Sequence, residues 1–248
     1  MFIAQYANYQ FDLSLPLPVG LIYQTDAAAT SAWYCPPTVI SPATIGDWVG
    51  STAMGASVNF NNITFNPHGN GTHTESIKHI LTDAPDLPVI YTQFHHLAQL
   101  ITINPIVLPN GDKVISKNQL AECYDNDFPS TALLIRTTPN EDWYKKNKNY
   151  SHSNPPYMLA NAMQWVVAQN IQHFLIDLPS VDREEDGGEL AAHKIFWDYP
   201  TLNRKHCTIT ELFYAHDKIK DGNYLLNLQI AAFMNDACPA FPVLYLLL

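Results

Sequence analysis

Twelve consecutive residues, His68-Gly69-Asn70-Gly71-Thr72-His73-Thr74-Glu75-Ser76-Ile77-Lys78-His79, bring three imidazoles and a carboxylate together. His73, Glu75 and His79 are separated by even numbers of residues, and in an extended segment such residues point to one face. A face bearing imidazole, carboxylate and imidazole is competent to hold a divalent ion. The glycines before His73 let the backbone turn tightly and approach a ligand closely. Thr72 and Thr74 can steady neighbouring groups through their hydroxyls. Histidines outside this segment read differently. His152 and His216 are expected at the surface, and His95-His96 in a structural role.

The elements that must position this segment follow from the flanking patterns. Residues 57–65 alternate apolar and polar with one slip at Asn61-Asn62, which predicts a bulged strand leading into the histidines. Residues 87–94 and 99–108 read as further strands, and 116–123 as a short helix capped by Ser116. Thr131 to Thr137 is a buried-strand pattern. Asn154-Pro155 reads as a helix start, and the apolar positions at 158, 159, 162, 163, 166 and 167 have helical spacing. His173 to Leu178 returns as a strand, so strand, helix and strand imply a parallel crossover. An acidic loop (182–186), a short helix (189–197) and late strands (207–215, 224–234) follow. Residues 241–248 read as a final strand or an interface element. The class is α/β with more strand than helix: a single domain of mixed β-sheet with flanking helices. Residues 1–50, rich in Pro, Thr, Ala and Ser, read as an arm or lid.

Composition narrows the function. With 47% hydrophobic and 15% charged residues, the chain has ample core material and is not disordered. A net charge of −10 gives no general attraction to phosphate backbones, so no nucleic-acid partner is expected. The one basic run, Lys145-Lys146-Asn147-Lys148, reads as a solvated loop. No apolar stretch approaches the roughly 20 residues of a membrane span. The opening residues lack a secretory pattern, and a cytoplasmic location is expected. Cys35, Cys123, Cys207 and Cys238 form no C-x-x-C pair and are expected to be buried, reduced thiols. A Gly-x-Ser-x-Gly elbow is absent, which argues against a serine hydrolase.

Gly71-Thr72-His73-Thr74-Glu75 with His79 resembles the signature of the cyclase-like metal-dependent hydrolases, His-x-Gly-Thr-His-x-Asp-x-Pro-x-His, a family that includes bacterial kynurenine formamidase and isatin hydrolase. Four further stretches, in the same order along the chain, resemble that family: Asp12-Leu-Ser-Leu-Pro-Leu17, Asp177-Leu-Pro-Ser-Val-Asp182, His193 in Leu-Ala-Ala-His-Lys, and Glu211 in Thr-Ile-Thr-Glu-Leu. There are departures. Glu75 stands in place of Asp, Ser76-Ile77 in place of a small residue and Pro, and His68 lies five residues before His73 where the pattern has four, a position occupied here by Gly69.

The resemblance implies a cyclase-family, swivelling β/α/β-like architecture. It also implies hydrolysis of an amide, formamide or lactam C–N bond in a small, aromatic or cyclic substrate by metal-activated water. The implied metal residues are His68, His73, Glu75, His79, His193 and Glu211, holding one or two ions of zinc or manganese. His79 is either a ligand or the general base, and His79 and Glu211 are the implied catalytic residues. Asp182 reads as an acid that orders its loop. Tyr23, Trp33, Tyr34 and Trp48 are candidates to stack on the substrate. The expected partners are a small-molecule substrate and further copies of the chain, as a dimer or tetramer, with no membrane. The departures at 68 and 75 also fit an alternative: a catalytically inactive metal-binding or scaffold protein on the same fold.

Overall fold

The structure is a computed structural model and describes residues 2–248. The ten strands of its main sheet are numbered here in chain order. At the centre lies Ala132–Thr137 (β5), six consecutive buried residues. A strand covered on both faces reads as a continuous apolar run, which is what parallel neighbours with packed flanks require. β5 pairs in parallel with His95–Ile103 (β4) on one side and His173–Ile176 (β6) on the other, and β6 pairs in parallel with Thr208–Glu211 (β7). Antiparallel strands extend both edges. Beyond β7 come His73–Glu75 (β3) and then Ala237–Pro239 (β9). Beyond β4 come Gly222–Asn227 (β8), Val243–Leu247 (β10), Tyr9–Pro18 (β2) and Ile3–Tyr6 (β1). The result is a ten-stranded mixed sheet with few helices, an α/β fold of the class expected from the sequence.

Alternation along the strands divides the core in two. Leu133, Ile135, Phe174, Ile176 and Ile209 face one side and pack with Leu120, Met163, Val166 and Phe196. Those four belong to or adjoin helices Lys117–Cys123 (α3), Ala160–Ala168 (α5) and Ala191–Phe196 (α6). Leu100, Leu134, Leu175, Leu226 and Leu244 form the opposite face with Val19, Leu87 and Tyr91. The remaining helices are single turns: Pro67–Asn70 (α1), Leu87–Ile90 (α2) and Asp142–Lys146 (α4). No helix among the described residues is long and apolar enough to cross a membrane.

Several local expectations change. Residues 87–94 are not a strand: Asp86 is followed by Pro88 in the first turn of α2, where proline's fixed φ suits a helix start. Asn154-Pro155 does not begin a helix. Pro156 forces its predecessor into extended backbone, Tyr157–Met158 pairs as a short strand with Lys113–Ile115, and α5 starts only at Ala160. The strand expected over 57–65 contracts to Asn61–Thr64, exposed and paired with Val39–Pro42. The late strands shorten to β7 and β8. Residues 1–50 divide between β1 and β2 of the main sheet and small ribbons at Val39–Pro42, Thr44–Ile45 and Trp48–Val49. The basic run is not a solvated loop, because Lys145 is 3% exposed and its Nζ lies 2.9 Å from Asp177 Oδ2. All four cysteines are free, but Cys123 is exposed and Cys35 half-buried.

His96 on β4 and His173 on β6 point to the same face, with ring centroids 3.9 Å apart. His96 Nε2 is bonded to the Tyr91 hydroxyl at 3.1 Å and lies 3.0 Å from Gln93 O; His173 Nδ1 lies 2.9 Å from Thr208 Oγ1. Burial disfavours the charged form of both rings, pulling His96 down to about 4 and His173 well below its ordinary value. The unfolded chain, with histidine pKa near 6.5, therefore binds protons that the folded chain refuses, so stability is complete above that value and falls as the pH drops toward 4. Each ring contributes a slope of about 1.4 kcal/mol per pH unit within that window. Urea unfolding at about pH 7 and about pH 5 should show a smaller acid loss in His96→Gln/His173→Gln than in wild type. Equal losses in the two proteins would remove the pair from the account.

Candidate metal centre

Strand pairing fixes the first two side chains. β3 is clamped between β7 and β9, with His73 opposite Glu211 and Glu75 opposite Ile209. Thr74, between them, points to the other face, where its hydroxyl lies 2.7 Å from that of Thr210. Thr72 locks the strand's entry: its Oγ1 accepts from Leu21 N at 2.6 Å and donates to Leu212 O at 2.5 Å. Gly71 passes under the ring of Tyr23, whose Cε2 would lie 2.7 Å from a Cβ there. His73 and Glu75 are both fully buried.

The even-spacing argument holds for His73 and Glu75 only. After Glu75 the chain leaves the strand, Ser76 caps a 3-10 turn at Ile77–His79 by accepting from Lys78 N, and this turn carries His79 back to the cluster. His79 Nδ1 lies 3.9 Å from Glu75 Oε2 and 3.2 Å from Asp236 Oδ2. His68 sits on α1, which starts at Pro67 after Asn66, whose side chain accepts from His68 N. Its Nδ1 lies 3.3 Å from Glu75 Oε2 and its Nε2 3.0 Å from Asp236 Oδ2. A Cβ at position 69 would meet Cys35 Sγ at 2.6 Å and Ala32 O at 2.8 Å. Position 69 therefore faces the segment 32–35 and has no room for a side chain; the helical turn presents His68 to the cluster instead.

The other wall comes from β7 and α6. Glu211 Oε2 lies 3.4 Å from His73 Nε2, and its Oε1 accepts from Val181 N at 3.2 Å. His193 Nε2 lies 3.0 Å from Glu75 Oε1 and 3.9 Å from Glu211 Oε1. Asp182 holds His193 in place, accepting from Ala192 N at 2.7 Å, His193 N at 3.1 Å and His193 Nδ1 at 2.6 Å. The structure thus brings all six sequence-selected residues together, and Asp182 orders the start of α6. It also adds a seventh residue, Asp236, which sequence reasoning missed. Asp236 sits just before β9, and the pairing of β9 with β3 places it beside His68 and His79. The only local signal is Asn235-Asp236 breaking an apolar run, which is ordinary turn chemistry.

The first-fifty aromatics separate. Trp33 lines the pocket above the cluster, together with Asn66, His68, His79, Ser180, Asp182, Arg183, Glu184, Asp186, Leu190, His193 and Glu211, around a cavity of about 320 Å³. Tyr23 packs against Gly71, Tyr34 packs on His152, and Trp48 packs on Phe60.

Electrostatics and hydrogen bonding set the charge balance of the cluster. His73 Nδ1 lies 3.1 Å from Gly71 O, an acceptor, so this nitrogen carries the proton and the ring presents the lone pair of Nε2. Asp182 fixes His193 in the same way, leaving Nε2 toward Glu75. Each lone pair then faces a carboxylate oxygen, an arrangement that needs a proton or a cation between the two. At His193, in the protein alone, a proton takes that place. Burial lowers the His68 and His193 pKa values, but His68's bonds to Asp236 and Glu75, and His193's to Asp182 and Glu75, outweigh it and carry both up to about 10. The Glu75 carboxylate raises His79 against its desolvation. Burial acts to raise Glu75, but the charge of His79 and hydrogen bonds from His193 and His68 hold its carboxyl well below the usual range. The bonds from His68 and His79 hold Asp236 low as well. His73 Nε2 remains buried without a hydrogen-bond partner, and the nearest approach to Glu75 Oε2 is that of His68 Nδ1 at 3.3 Å.

Three overlapping groups place their donor atoms within 4.8 Å of one another: His68, His73 and Glu75; Glu75, His79 and His193; His68, His79 and Asp236. Such a set of buried imidazoles and carboxylates, with unused acceptor capacity at its centre, fits a divalent cation.

The model of the family described as "Putative cyclase" matches residues 11–183. The chain belongs to the Cyclase family. Among solved structures, the Cyclase-family fold recurs in a predicted metal-dependent hydrolase from Bacillus stearothermophilus, at 17% identity and TM-score 0.62 over 93% of this chain and 98% of that one. It recurs in isatin hydrolase A from Labrenzia aggregata, at 14% identity and TM-score 0.64 over 94% and 93%. Isatin hydrolase A from Ralstonia solanacearum gives 14% identity and TM-score 0.63 over 93% and 92%. At these identities the likeness is one of fold. No curated protein matches in sequence.

If Asp236 belongs to this centre, Asp236→Ala weakens zinc or manganese binding by about 10-fold or more. Competition against a chelator of known affinity measures it, with His216→Ala, outside the cluster, as the unchanged control. Equal affinity in Asp236→Ala and wild type would place Asp236 outside the centre.

Proposed function

We propose that this Cyclase-family chain is a metal-dependent hydrolase that opens the C–N bond of a small amide, formamide or lactam with water as the nucleophile. The observation that carries the reading is the buried His73 Nε2, left without a hydrogen-bond partner near the fully buried Glu75, next to a pocket lined by His68, His79, His193 and Glu211. His68, His73, Glu75, His193, Glu211 and Asp236 are the residues that would hold zinc or manganese, with His79 beside them. A divalent ion held there supplies Lewis acidity and makes water a competent nucleophile near neutral pH.

The chain's own residues do the rest. A cavity of about 320 Å³ lies at the lower end of the size range of small-molecule sites. Trp33 and Leu190 offer apolar surface to a flat substrate, while Asn66 and Ser180 offer polar groups for its carbonyl and nitrogen. His79 is the general base. Its Nδ1 is held by Asp236, leaving Nε2 to take a proton from the attacking water and return it to the departing nitrogen. Its side chain is 31% exposed, the highest among the clustered histidines, which suits a group that must exchange protons with substrate. Glu211 Oε1 is engaged by Val181 N, and its Oε2 faces His73 Nε2 in the cluster. Asp182 keeps His193 in one tautomer and acts as a positioning residue. The relatives described as a metal-dependent hydrolase and isatin hydrolases support the reaction class.

The test is turnover of a panel of aryl formamides, cyclic amides and linear amides by protein loaded with zinc or manganese. Wild type is expected to hydrolyse at least one class, and His79→Ala to lose about 100-fold or more in kcat. Metal-loaded wild type that turns over no member of the panel would contradict the reading. If metal content and turnover both survive in His79→Ala, His79 is not the base.

A further inference from the structure

The basic run at 145–148 converges on a second cavity, separate from the metal centre. This cavity, of about 40 Å³, lies at the carboxyl ends of parallel strands β5 and β6. Its volume is room for about three water molecules, the size of a small oxyanion. Lys113, Lys145 and Lys148 all line it, together with Thr137, Tyr144 and Tyr150.

The charges facing this cavity do not balance. Asp177 is bonded to Thr137 and Lys145 of the lining, and most of its acceptor capacity is used there. Its Oδ2 accepts from Thr137 N at 2.8 Å and lies 2.9 Å from Lys145 Nζ, and its Oδ1 accepts from Thr137 Oγ1 at 2.8 Å. Lys148 Nζ donates to the Tyr144 hydroxyl and sits over the rings of Tyr144 and Tyr150, 4.2 Å and 4.7 Å from their centroids. Among the described residues, no carboxylate lies within ion-pair distance of Lys148 or Lys113. A chain with a formal charge of −10 thus gathers three of its 13 cationic side chains around one small opening, where Asp177 pairs with Lys145 and the nearby Asp112 is taken up by Arg183. Burial, and after it the neighbouring Lys113 charge, pull the Lys148 amine down to about 8 against the attraction of Asp177.

We propose that this cavity is a binding site for a small oxyanion, held by the ammonium groups of Lys113 and Lys148 with the remaining N–H of Lys145. The loop that carries these groups is stitched to the wall of the metal centre. Ser31 N donates to Lys148 O at 3.0 Å, Tyr150 N donates to Ser31 O at 2.8 Å, and Tyr34 N donates to Ser151 Oγ at 2.9 Å. Trp33 lies within that stitched segment, so an anion that orders the loop also steadies one wall of the catalytic pocket.

Calorimetric titration of the metal-loaded protein with bicarbonate and, separately, inorganic phosphate tests the site, with chloride matched for ionic strength. Saturable binding of one equivalent is expected, and the tighter of the two anions identifies a planar or a tetrahedral preference. Lys148→Met should weaken binding by about 10-fold or more and Lys113→Ala by several-fold. Lys146→Met, which removes a lysine paired with Asp142 outside the cavity, should leave binding unchanged. Lys113 is exposed, so its variant reports on binding even if Lys148→Met folds poorly. No saturable binding of either anion would overturn the proposal. So would an affinity indifferent to both lysine variants, the result expected if the anion binds at the histidine cluster instead.

Discussion

A fully buried carboxylate is the constraint around which this structure is arranged. Glu75 has no exposed surface, and removing an ionised carboxylate from water is costly unless opposite charge and hydrogen bonds replace the solvent. The fold supplies both from every direction. His193 approaches Oε1 from α6, His68 approaches Oε2 from α1, and His79 stands behind them on a 3-10 turn. Each of those imidazoles contacts a carboxylate besides Glu75: His193 bonds Asp182, and His68 and His79 share Asp236. A chain of alternating acid and base thus runs from the strand to the pocket rim. Protons satisfy most of it, but His73 Nε2 and Glu75 Oε2 keep unused acceptor capacity, and a divalent cation is the species whose charge and size would use it.

The sheet exists at this edge to hold that arrangement rigid. β3 is only three residues long, yet it is paired on both sides, by β7 and by β9. Pairing on both sides fixes the direction of His73 and Glu75, and β7 supplies Glu211 from the neighbouring position. Leu212, immediately after Glu211, takes a φ of 54°, a conformation uncommon for a branched side chain. That turn aims its carbonyl at the Thr72 hydroxyl, tying the end of β7 to the entry of β3. Backbone conformations of this kind concentrate where a site must be held in one geometry.

Much of this was legible in the sequence, and the reasons for the rest are physical. Gly71-Thr72-His73-Thr74-Glu75 encodes a strand entry, two inward donors and one outward hydroxyl, a pattern of period two that needs no tertiary information. The buried run of β5 was equally plain. Asp236 was not, because its place depends on β9 pairing with β3 across some 160 residues of chain, and nothing in Asn235-Asp236 distinguishes it from a turn. His68 was legible as a histidine out of register, but its route to the site by a helical turn required knowing that Cys35 and Ala32 crowd position 69. The Asn154-Pro155 helix start failed because Pro156 imposes extended backbone on its neighbour. The lysine run failed because a charged string looks solvated until a buried partner, here Asp177, is found beneath it.

The central claim is that the histidine and carboxylate cluster exists to hold a divalent ion. Elemental analysis of protein purified without a histidine tag, in wild type and His73→Ala, tests it most directly. The account predicts about one or two equivalents of zinc or manganese per wild-type chain, falling to a small fraction in the variant. Wild-type protein that is metal-free as purified and takes up neither ion on addition would contradict it.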